Sequence, residues 1–136
     1  MHGMSAAIDF RLARSGDAPG IARMSREFIE MGLGWSYDPP RVARLIADRD
    51  TLSLVAEDRL GLAGFAILQF GEEHAHLVLL AVQPRCRRRG VARRLLGWLL
   101  ESARAAGIAE LGLELRIGGG LLRGGRGGRE IRRVPA

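Results

Sequence analysis

One stretch of the sequence constrains the fold more than any other. Residues 74–82 are almost continuously apolar, which is typical of a strand covered on both faces of a sheet. Pro84 ends this strand, an arginine-rich turn follows, and residues 91–106 have the periodicity of an amphipathic helix that ends at Gly107. Residues 111–115 then predict another strand. This order predicts a right-handed parallel crossover, and therefore an α/β fold.

The rest of the chain predicts the elements that complete such a sheet. Alternating or β-rich patterns predict strands at residues 8–13, 51–56 and 62–70, the last two joined by the polar turn 57–59. Helical spacing of apolar residues predicts helices at residues 18–31 and 39–46. We therefore expect a mixed β-sheet flanked by helices on both faces, with the strand at 74–82 in its centre.

Length and composition limit where such a chain can act. A chain of 136 residues that is 47% hydrophobic can bury one core. No apolar run reaches the roughly 18 residues of a membrane helix, and the first residues lack the pattern of a signal peptide, so we expect a cytoplasmic protein without a membrane partner. Cys86 is the only cysteine, which excludes an internal disulfide and argues against a zinc site.

The charge is strongly biased, because all 21 basic residues are arginine and the net charge is +6. A basic surface attracts phosphate groups, whether these belong to a nucleotide-bearing cofactor, a nucleic acid or ribosomal RNA. Charge alone does not distinguish these ligands.

The turn before residues 91–106 carries the clearest chemical signal. A helix N-terminus offers free N–H groups and the positive end of the helix dipole, which together favour an anion. Gly90 allows a phosphate to approach the backbone closely, and Ala92, two positions later, has only a small side chain. We therefore expect a pyrophosphate to bind here. The purely structural alternative is a helix-initiating glycine beside solvated arginines.

This turn resembles the acetyl-CoA motif of the GNAT acetyltransferase superfamily, Gln/Arg-x-x-Gly-x-Gly/Ala. The motif stands here as Arg87-Arg88-Arg89-Gly90-Val91-Ala92. The Leu-Ala-Val strand before it, the Arg-Arg-Leu-Leu helix after it and Leu113-Glu114-Leu115-Arg116 one helix later are most similar to the branch that acetylates protein N-termini. The resemblance covers residues 8–116. It implies acetyl-CoA as co-substrate, no metal, and a primary amine such as a protein N-terminus as acceptor.

The resemblance also implies roles for individual residues. Backbone groups near Leu80, Ala81 and Val82 would hold the pantetheine arm and polarise the thioester carbonyl. Two residues are candidates for the general base. Glu114 matches the glutamate of the Leu-Glu-Val-Arg strand, and His76 lies where the histone-acetylating branch carries a glutamate. Each has a structural alternative: Glu114 could pair with an arginine, and His76 could be a satisfied strand histidine.

Two aromatic residues stand between the first two predicted helices. Trp35 and Tyr37 are candidates for acceptor recognition, with core packing as the alternative.

The resemblance ends after residue 116. Gly119 stands where the family has an asparagine, and Arg126 where it has the tyrosine that protonates the leaving thiolate. Residues 118–120 are all glycine, and each glycine disfavours a helix by about 1 kcal/mol relative to alanine. We therefore separate a GNAT core, residues 1–116, from an atypical Gly/Arg-rich tail, residues 117–136, and expect the closing strands to be incomplete.

This departure leaves two further hypotheses. A second copy of the chain could complete the sheet in a homodimer, because unpaired strand edges favour pairing. The alternative function is a non-catalytic acyl-CoA-binding or RNA-associated module, in which the tail binds phosphates. The tail lacks interleaved aromatic residues, so nucleic acid is the weaker expectation.

Overall fold

The computed structural model describes residues 7–107, 110–116 and 129–135 of the chain. These residues form a six-stranded sheet whose strands lie side by side in chain order. Four of the five strand pairs are antiparallel, and β4 with β5 is the parallel pair, so the predicted mixed sheet is confirmed. The strands are β1 (Asp9–Leu12), β2 (Thr51–Asp58), β3 (Gly61–Phe70), β4 (His74–Val82), β5 (Glu110–Arg116) and β6 (Arg129–Pro135).

Three helices accompany the sheet: α1 (Ala18–Met24), α2 (Pro39–Ala47) and α3 (Val91–Ala105). The predicted helix 18–31 is α-helical only in α1. It continues as the π-helical turn Ser25–Ile29 and ends there. In that turn the N–H of Glu30 donates to the carbonyl of Ser25 at 2.7 Å. No helix within the described ranges is both long and apolar enough to span a membrane.

The core lies on both faces of the sheet, as the sequence predicts. On one face α3 contributes Val91, Leu95 and Leu99 to a buried cluster with residues of β2, β3 and β4. On the other face α1 and α2 contribute Ile21 and Val42 to a second cluster. The long apolar run of β4 therefore belongs to a strand that supplies side chains to both layers.

A one-residue bulge at Val78 divides β4 into two halves. Leu68 of β3 pairs with Leu77, whereas Ile67 pairs with Leu79, so Val78 is the extra residue. A bulge reverses the alternation of side chains. Leu77 accordingly packs against the α3 cluster, and Leu79 packs in the cluster of α1 and α2.

The parallel pairing of β4 with β5 ends before either strand does. The last pair is Leu77 with Leu113, although β4 continues to Val82 and β5 to Arg116. Beyond that pair, β4 keeps β3 on one side and has no described strand on the other. The two strands thus open towards the end of β4 that leads into α3.

The strand β6 is an addition to the sequence prediction, which contains no strand in residues 117–136. It pairs antiparallel with β5 over its whole length. Residues 117–128 lie outside the described residues, and so do the two departures from the family motif noted at Gly119 and Arg126.

Two glycines provide a matched test of this packing. A Cβ on Gly64 would lie 3.0 Å from the carbonyl oxygen of Ala81 and 3.1 Å from Val91, whereas one on Gly97, exposed within α3, would meet nothing within 4 Å. We expect Gly64→Ala to lower the free energy of unfolding by about 1–3 kcal/mol through overpacking. We expect Gly97→Ala to raise it by up to about 1 kcal/mol through helix propensity. Urea unfolding measures both changes, and equal effects would contradict the close contact at Gly64.

Candidate functional site

The chain turns sharply between the end of β4 and the start of α3. Residues Pro84–Cys86 form a short 3-10 turn, and the left-handed residues Arg88 (φ +66°) and Gly90 (φ +77°) follow. Glycine adopts this conformation without strain, whereas arginine adopts it at a cost. Gly90 is the residue immediately before α3, as the anion-site hypothesis requires.

The N-terminus of α3 has no side-chain cap, because Gly90 occupies the N-cap position. The first backbone bond of the helix runs from the N–H of Arg94 to the carbonyl of Gly90 at 3.0 Å. Earlier N–H groups of a helix have no intrahelical acceptor, and the helix dipole adds positive potential at the same point. This end of α3 is therefore suited to binding an anion.

A cleft of about 370 Å³ lies at this turn. Its volume falls within the range of about 300–1,000 Å³ that is usual for ligand sites. Most of the predicted motif lines it, but Arg89 does not, and neither do Leu80 and Ala81. Sequence reasoning missed Cys86 and Arg93. The lining consists of Val82, Cys86, Arg87, Arg88, Gly90, Val91, Ala92 and Arg93.

A buried carboxylate is hydrogen-bonded to the first residues of the turn. The side chain of Asp58, at the end of β2, is only 2% exposed and accepts a hydrogen bond from Arg85 Nη1 at 2.5 Å. It also accepts from the N–H of Leu60 at 2.9 Å, and the Cys86 thiol lies 3.7 Å from it. The hairpin β2–β3 is thereby joined to the first residues of the turn.

These contacts determine the protonation of both groups. The hydrogen bond from Arg85 holds the pKa of Asp58 below its usual value, so Asp58 is a carboxylate at neutral pH. Burial raises the pKa of the Cys86 thiol. Cys86 is therefore a protonated, buried thiol, which fits a small packing residue and not a nucleophile.

The candidates for the backbone contacts lie where β4 has lost its parallel partner. Leu80, Ala81 and Val82 pair with β3 and follow the last pair between β4 and β5. At these residues the edge of β4 that does not pair with β3 faces the opening between β4 and β5. Donors and acceptors on this edge are placed to meet an extended ligand that lies between the two strands.

Both candidates for the general base flank the same opening. His76 is exposed and pairs with Gln69 of β3 and Gly112 of β5. Glu114 is the first β5 position after the last pair with β4, and it pairs with Ile131 of β6. Glu114 lies two residues beyond Gly112, so its position is on the sheet face of His76. The fold therefore places both positions on one face of the sheet, on neighbouring strands.

The aromatic candidates lie in the segment between α1 and α2. Trp35 Nε1 donates to the carbonyl of Ala22 at 3.2 Å, and the guanidinium of Arg26 stacks over its ring. Tyr37 packs against the cluster that contains Leu79 and Ala81 of β4, and Arg41 covers its ring. Both rings are thus partly packed, and Trp35 remains 39% exposed.

Comparison with known proteins agrees with this architecture. Residues 21–117 match the model of the acetyltransferase (GNAT) family. The chain belongs to this family. The match includes β2, β3, β4, α3 and β5, and therefore the whole turn between β4 and α3.

Individual relatives of this GNAT protein are similar over parts of the chain. It is 42% identical over 65 residues to a [ribosomal protein bS18]-alanine N-acetyltransferase of Salmonella typhimurium, which is 48% of the chain and only 43% of that protein. It superposes with a TM-score of 0.77 on a PaiA N-acetyltransferase of Thermoplasma acidophilum in complex with coenzyme A. That pair is 19% identical and covers 96% of this chain and 99% of the other.

A second solved structure is the ribosomal-protein-S18-alanine N-acetyltransferase of Escherichia coli. The TM-score is 0.65 at 24% identity, covering 84% of this chain and 70% of the other. These two likenesses to solved structures show the fold.

The ion pair between the buried Asp58 carboxylate and the partly exposed Arg85 predicts a pH-dependent contribution to stability. A carboxylate whose pKa is depressed by folding stabilises the protein above its unfolded pKa of about 3.9, and this contribution is lost as the pH falls through the folded pKa. We expect Asp58→Asn to lower the free energy of unfolding by about 1–3 kcal/mol at pH 7. The difference from the unmodified protein should shrink below about pH 4.

Urea unfolding at pH 7 and pH 3 measures this difference. The exposed Asp9 serves as control, and Asp9→Asn should change stability by less than about 0.5 kcal/mol at either pH. A deficit of Asp58→Asn that is equal at both pH values would show that packing, and not charge, accounts for the contribution.

Proposed function

We propose that this GNAT protein transfers the acetyl group of acetyl-CoA to a primary amine, most specifically the α-amine of a protein or peptide N-terminus. The observation that carries the proposal is the position of the cleft. The uncapped N-terminus of α3 lies at the end of the same β4 segment that has lost its partner. One extended molecule with a pyrophosphate at one end and a thioester at the other fits both features.

The phosphate end is held by the turn. A Cβ on Gly90 would meet nothing within 4 Å, so the space above this residue is open to phosphate oxygens. The exposed Arg87 and Arg88 line the cleft together with Arg93. Guanidinium groups bind phosphates through paired N–H donors. In this proposal Arg89, Val91 and Ala92 complete the motif around the pyrophosphate.

The pantetheine arm then follows the open edge of β4 at Leu80, Ala81 and Val82. Its amide groups would bond with strand backbone in the manner of an added strand. This path places the thioester beside the bulge at Val78, between the positions of His76 and Glu114. A backbone N–H near the bulge would stabilise the oxyanion that develops on the thioester carbonyl.

The reaction needs one proton acceptor and one proton donor. The neutral amine attacks the thioester carbon, the tetrahedral oxyanion collapses, and the C–S bond breaks. The general base, Glu114 or His76, takes the proton from the amine nitrogen. The leaving thiolate takes a proton from solvent and departs as coenzyme A, and the base returns its proton to solvent, so atoms and charge balance without a metal.

The comparisons support the acceptor class. The Salmonella relative is an alanine N-acetyltransferase of ribosomal protein bS18, and the Escherichia coli neighbour is named for the same substrate. Because both are named for an alanine substrate, a peptide that begins with alanine is the first acceptor to test. The match spans less than half of the Salmonella relative.

Other features of the proposal concern the assembly and its location. We propose a cytoplasmic enzyme that acts without a nucleic-acid partner. We also propose a homodimer in which the outer edge of β6 pairs with a second copy, since β6 is the last strand in the sheet order. Sedimentation equilibrium tests the dimer, and a monomer at micromolar concentration would contradict it.

Calorimetric titration with acetyl-CoA tests the phosphate site. Gly90→Asp would place a carboxylate where the pyrophosphate should lie, and we expect it to weaken binding by at least about 100-fold, or about 2.7 kcal/mol. Aspartate and asparagine both tolerate a left-handed N-cap, so the fold should survive.

Two controls isolate the charge. Gly90→Asn has nearly the same shape without the charge and should lose far less affinity, and Gly97→Asp places the same charge on α3 away from the cleft. Equal losses in Gly90→Asp and Gly90→Asn would indicate a steric effect. Unchanged binding in Gly90→Asp would refute the site.

Steady-state turnover with a peptide acceptor identifies the base. We expect either Glu114→Gln or His76→Ala to lower kcat by about 10²–10⁴-fold, because that is the usual contribution of general-base catalysis. His74→Ala, two residues before His76 on the same strand, should keep kcat within about twofold. Full turnover in both candidate variants would exclude both assignments. Acetyl-CoA binding without turnover of any amine would favour the non-catalytic module instead.

A further inference from the structure

The turn after β4 is attached to the hairpin β2–β3 by three hydrogen bonds. The backbone N–H of Gln83 donates to the carbonyl of Ala63 at 2.8 Å. The other two bonds come from one guanidinium. Arg85 Nη1 donates to Asp58 Oδ2 at 2.5 Å, and Arg85 Nη2 donates to the carbonyl of Leu62 at 3.4 Å. The start of the turn is therefore fixed to a hairpin that is distant in sequence.

Arg85 differs from the arginines that follow it. Arg87, Arg88 and Arg93 line the cleft, whereas Arg85 does not. Its guanidinium pairs instead with Asp58, whose side chain is only 2% exposed. A buried carboxylate without a cation is strongly disfavoured, so this pair determines where Arg85 lies. Arg85 thus belongs to the structure of the turn, and the other three arginines are placed to meet an anion.

The residues after this attachment have a conformation that needs support. Arg88 is left-handed, with φ +66°, and Gly90 follows with φ +77°. A non-glycine residue keeps this conformation only where the surrounding contacts impose it. Here the contacts lie on both sides. The pair at Arg85 precedes the strained residue, and the first bond of α3, from the N–H of Arg94 to the carbonyl of Gly90, follows it.

We propose that Asp58 is a positioning residue for acetyl-CoA binding. Its carboxylate holds Arg85 and, with it, the turn Pro84–Cys86. The chain then leaves the turn in a direction that places Arg87 and Arg88 in the cleft before the ligand arrives, which lowers the entropy lost on binding. Asp58 does not line the cleft, so it acts through the arginines and not by contact with the ligand. This inference rests on the proposed binding of acetyl-CoA at the turn.

The chain contains its own probe of the turn. Cys86 is the only cysteine, it is fully buried, and its thiol lies 3.7 Å from Asp58 Oδ2. A buried thiol reacts with the disulfide reagent DTNB only when the surrounding structure opens. The rate of labelling therefore reports the opening of the turn in the absence of any ligand.

The test compares Asp58→Asn with a matched variant. Asparagine keeps the shape of the side chain but replaces one acceptor oxygen with a donor, so it cannot serve both Arg85 and Leu60 as Asp58 does. Asp17→Asn makes the same change in an ion pair outside the cleft. The side chain of Asp17 is 13% exposed and accepts from Arg11 at 2.8 and 3.0 Å. A purely structural role of Asp58 predicts the same response in both variants.

Labelling and ligand binding are measured on each variant. We expect Asp58→Asn to raise the labelling rate of Cys86 at least about tenfold, and to raise the Kd for acetyl-CoA about tenfold. The kcat at saturating acetyl-CoA and the KM for an alanine-initiated peptide should stay within about twofold, because the reacting groups are unchanged. In Asp17→Asn the labelling rate and the Kd should both stay within about twofold. Arg85→Lys keeps the cation but loses the paired donors, and it should show the same changes to a smaller extent if Asp58→Asn does not fold.

A double-mutant cycle tests whether the effect depends on Arg88. Asparagine tolerates the left-handed conformation and has no charge, so Arg88→Asn removes both the strain and the phosphate ligand. We expect Asp58→Asn to raise the Kd for acetyl-CoA by less than about threefold in the Arg88→Asn background. An equal rise in both backgrounds would contradict the positioning of Arg88.

The outcomes are distinct. Unchanged labelling of Cys86 in Asp58→Asn overturns the anchoring role. Faster labelling with an unchanged Kd overturns the role in acetyl-CoA binding, and equal changes in Asp17→Asn overturn the inference in favour of a general loss of stability. If the unmodified protein binds no acetyl-CoA, the proposed function fails, whereas faster labelling in Asp58→Asn alone still supports the anchoring of the turn.

Discussion

The pairing between β4 and β5 stops at Leu77 and Leu113, although both strands continue. The bulge at Val78 follows immediately, and a bulge bends its strand and increases its twist. The bend gives a physical reason for the separation of the strands. It leaves backbone groups of β4 on an edge that β5 no longer covers. One half of the candidate site, the open edge of β4, is therefore a consequence of this irregularity, and the other half is the uncapped N-terminus of α3.

The hairpin β2–β3 determines where the turn lies relative to this edge. Asp58 binds Arg85 from the end of β2, and Gly64, near the start of β3, allows Ala81 and Val91 to approach closely. Both contacts join residues that are far apart in sequence, so the phosphate site has little freedom of its own. Preorganised donors lose less entropy on binding than flexible ones, which favours binding at a site held in this way.

Local pattern was sufficient for the elements of the core but not for these irregularities. The run at residues 74–82 and the helix beginning at Val91 have clear periodicity, and the structure confirms both. The bulge at Val78 is invisible in sequence, because an uninterrupted apolar run reads the same with or without a reversal of faces. In the sequence Asp58 is part of a polar turn. Its buried contact could not be predicted locally, because its partner Arg85 lies 27 residues away.

The same limit applies to β6 and to Glu30. Residues 129–135 are mostly charged and lack a clear alternation of apolar residues, so nothing local marks them as a strand. Glu30 continues the pattern of an exposed helix end, yet it is buried and accepts bonds from Ser25, Ser36 and Tyr37. The motif at Arg87–Ala92 could be found because its chemistry depends on adjacent residues, whereas a contact between distant segments leaves no such mark.

Some of the arginines have carboxylate partners, and the arginines of the cleft do not. Arg85 is paired with Asp58, the last residue of β2, and Arg11 of β1 is paired with Asp17 and with Glu57, the residue before Asp58. Across the residues that the structure describes, Arg87, Arg88 and Arg93 form no ion pair, and all three line the cleft. Unpaired cations at one concave point produce a local positive potential that a uniform charge of +6 would not. Three cations of the chain thus lie where the helix dipole already favours an anion.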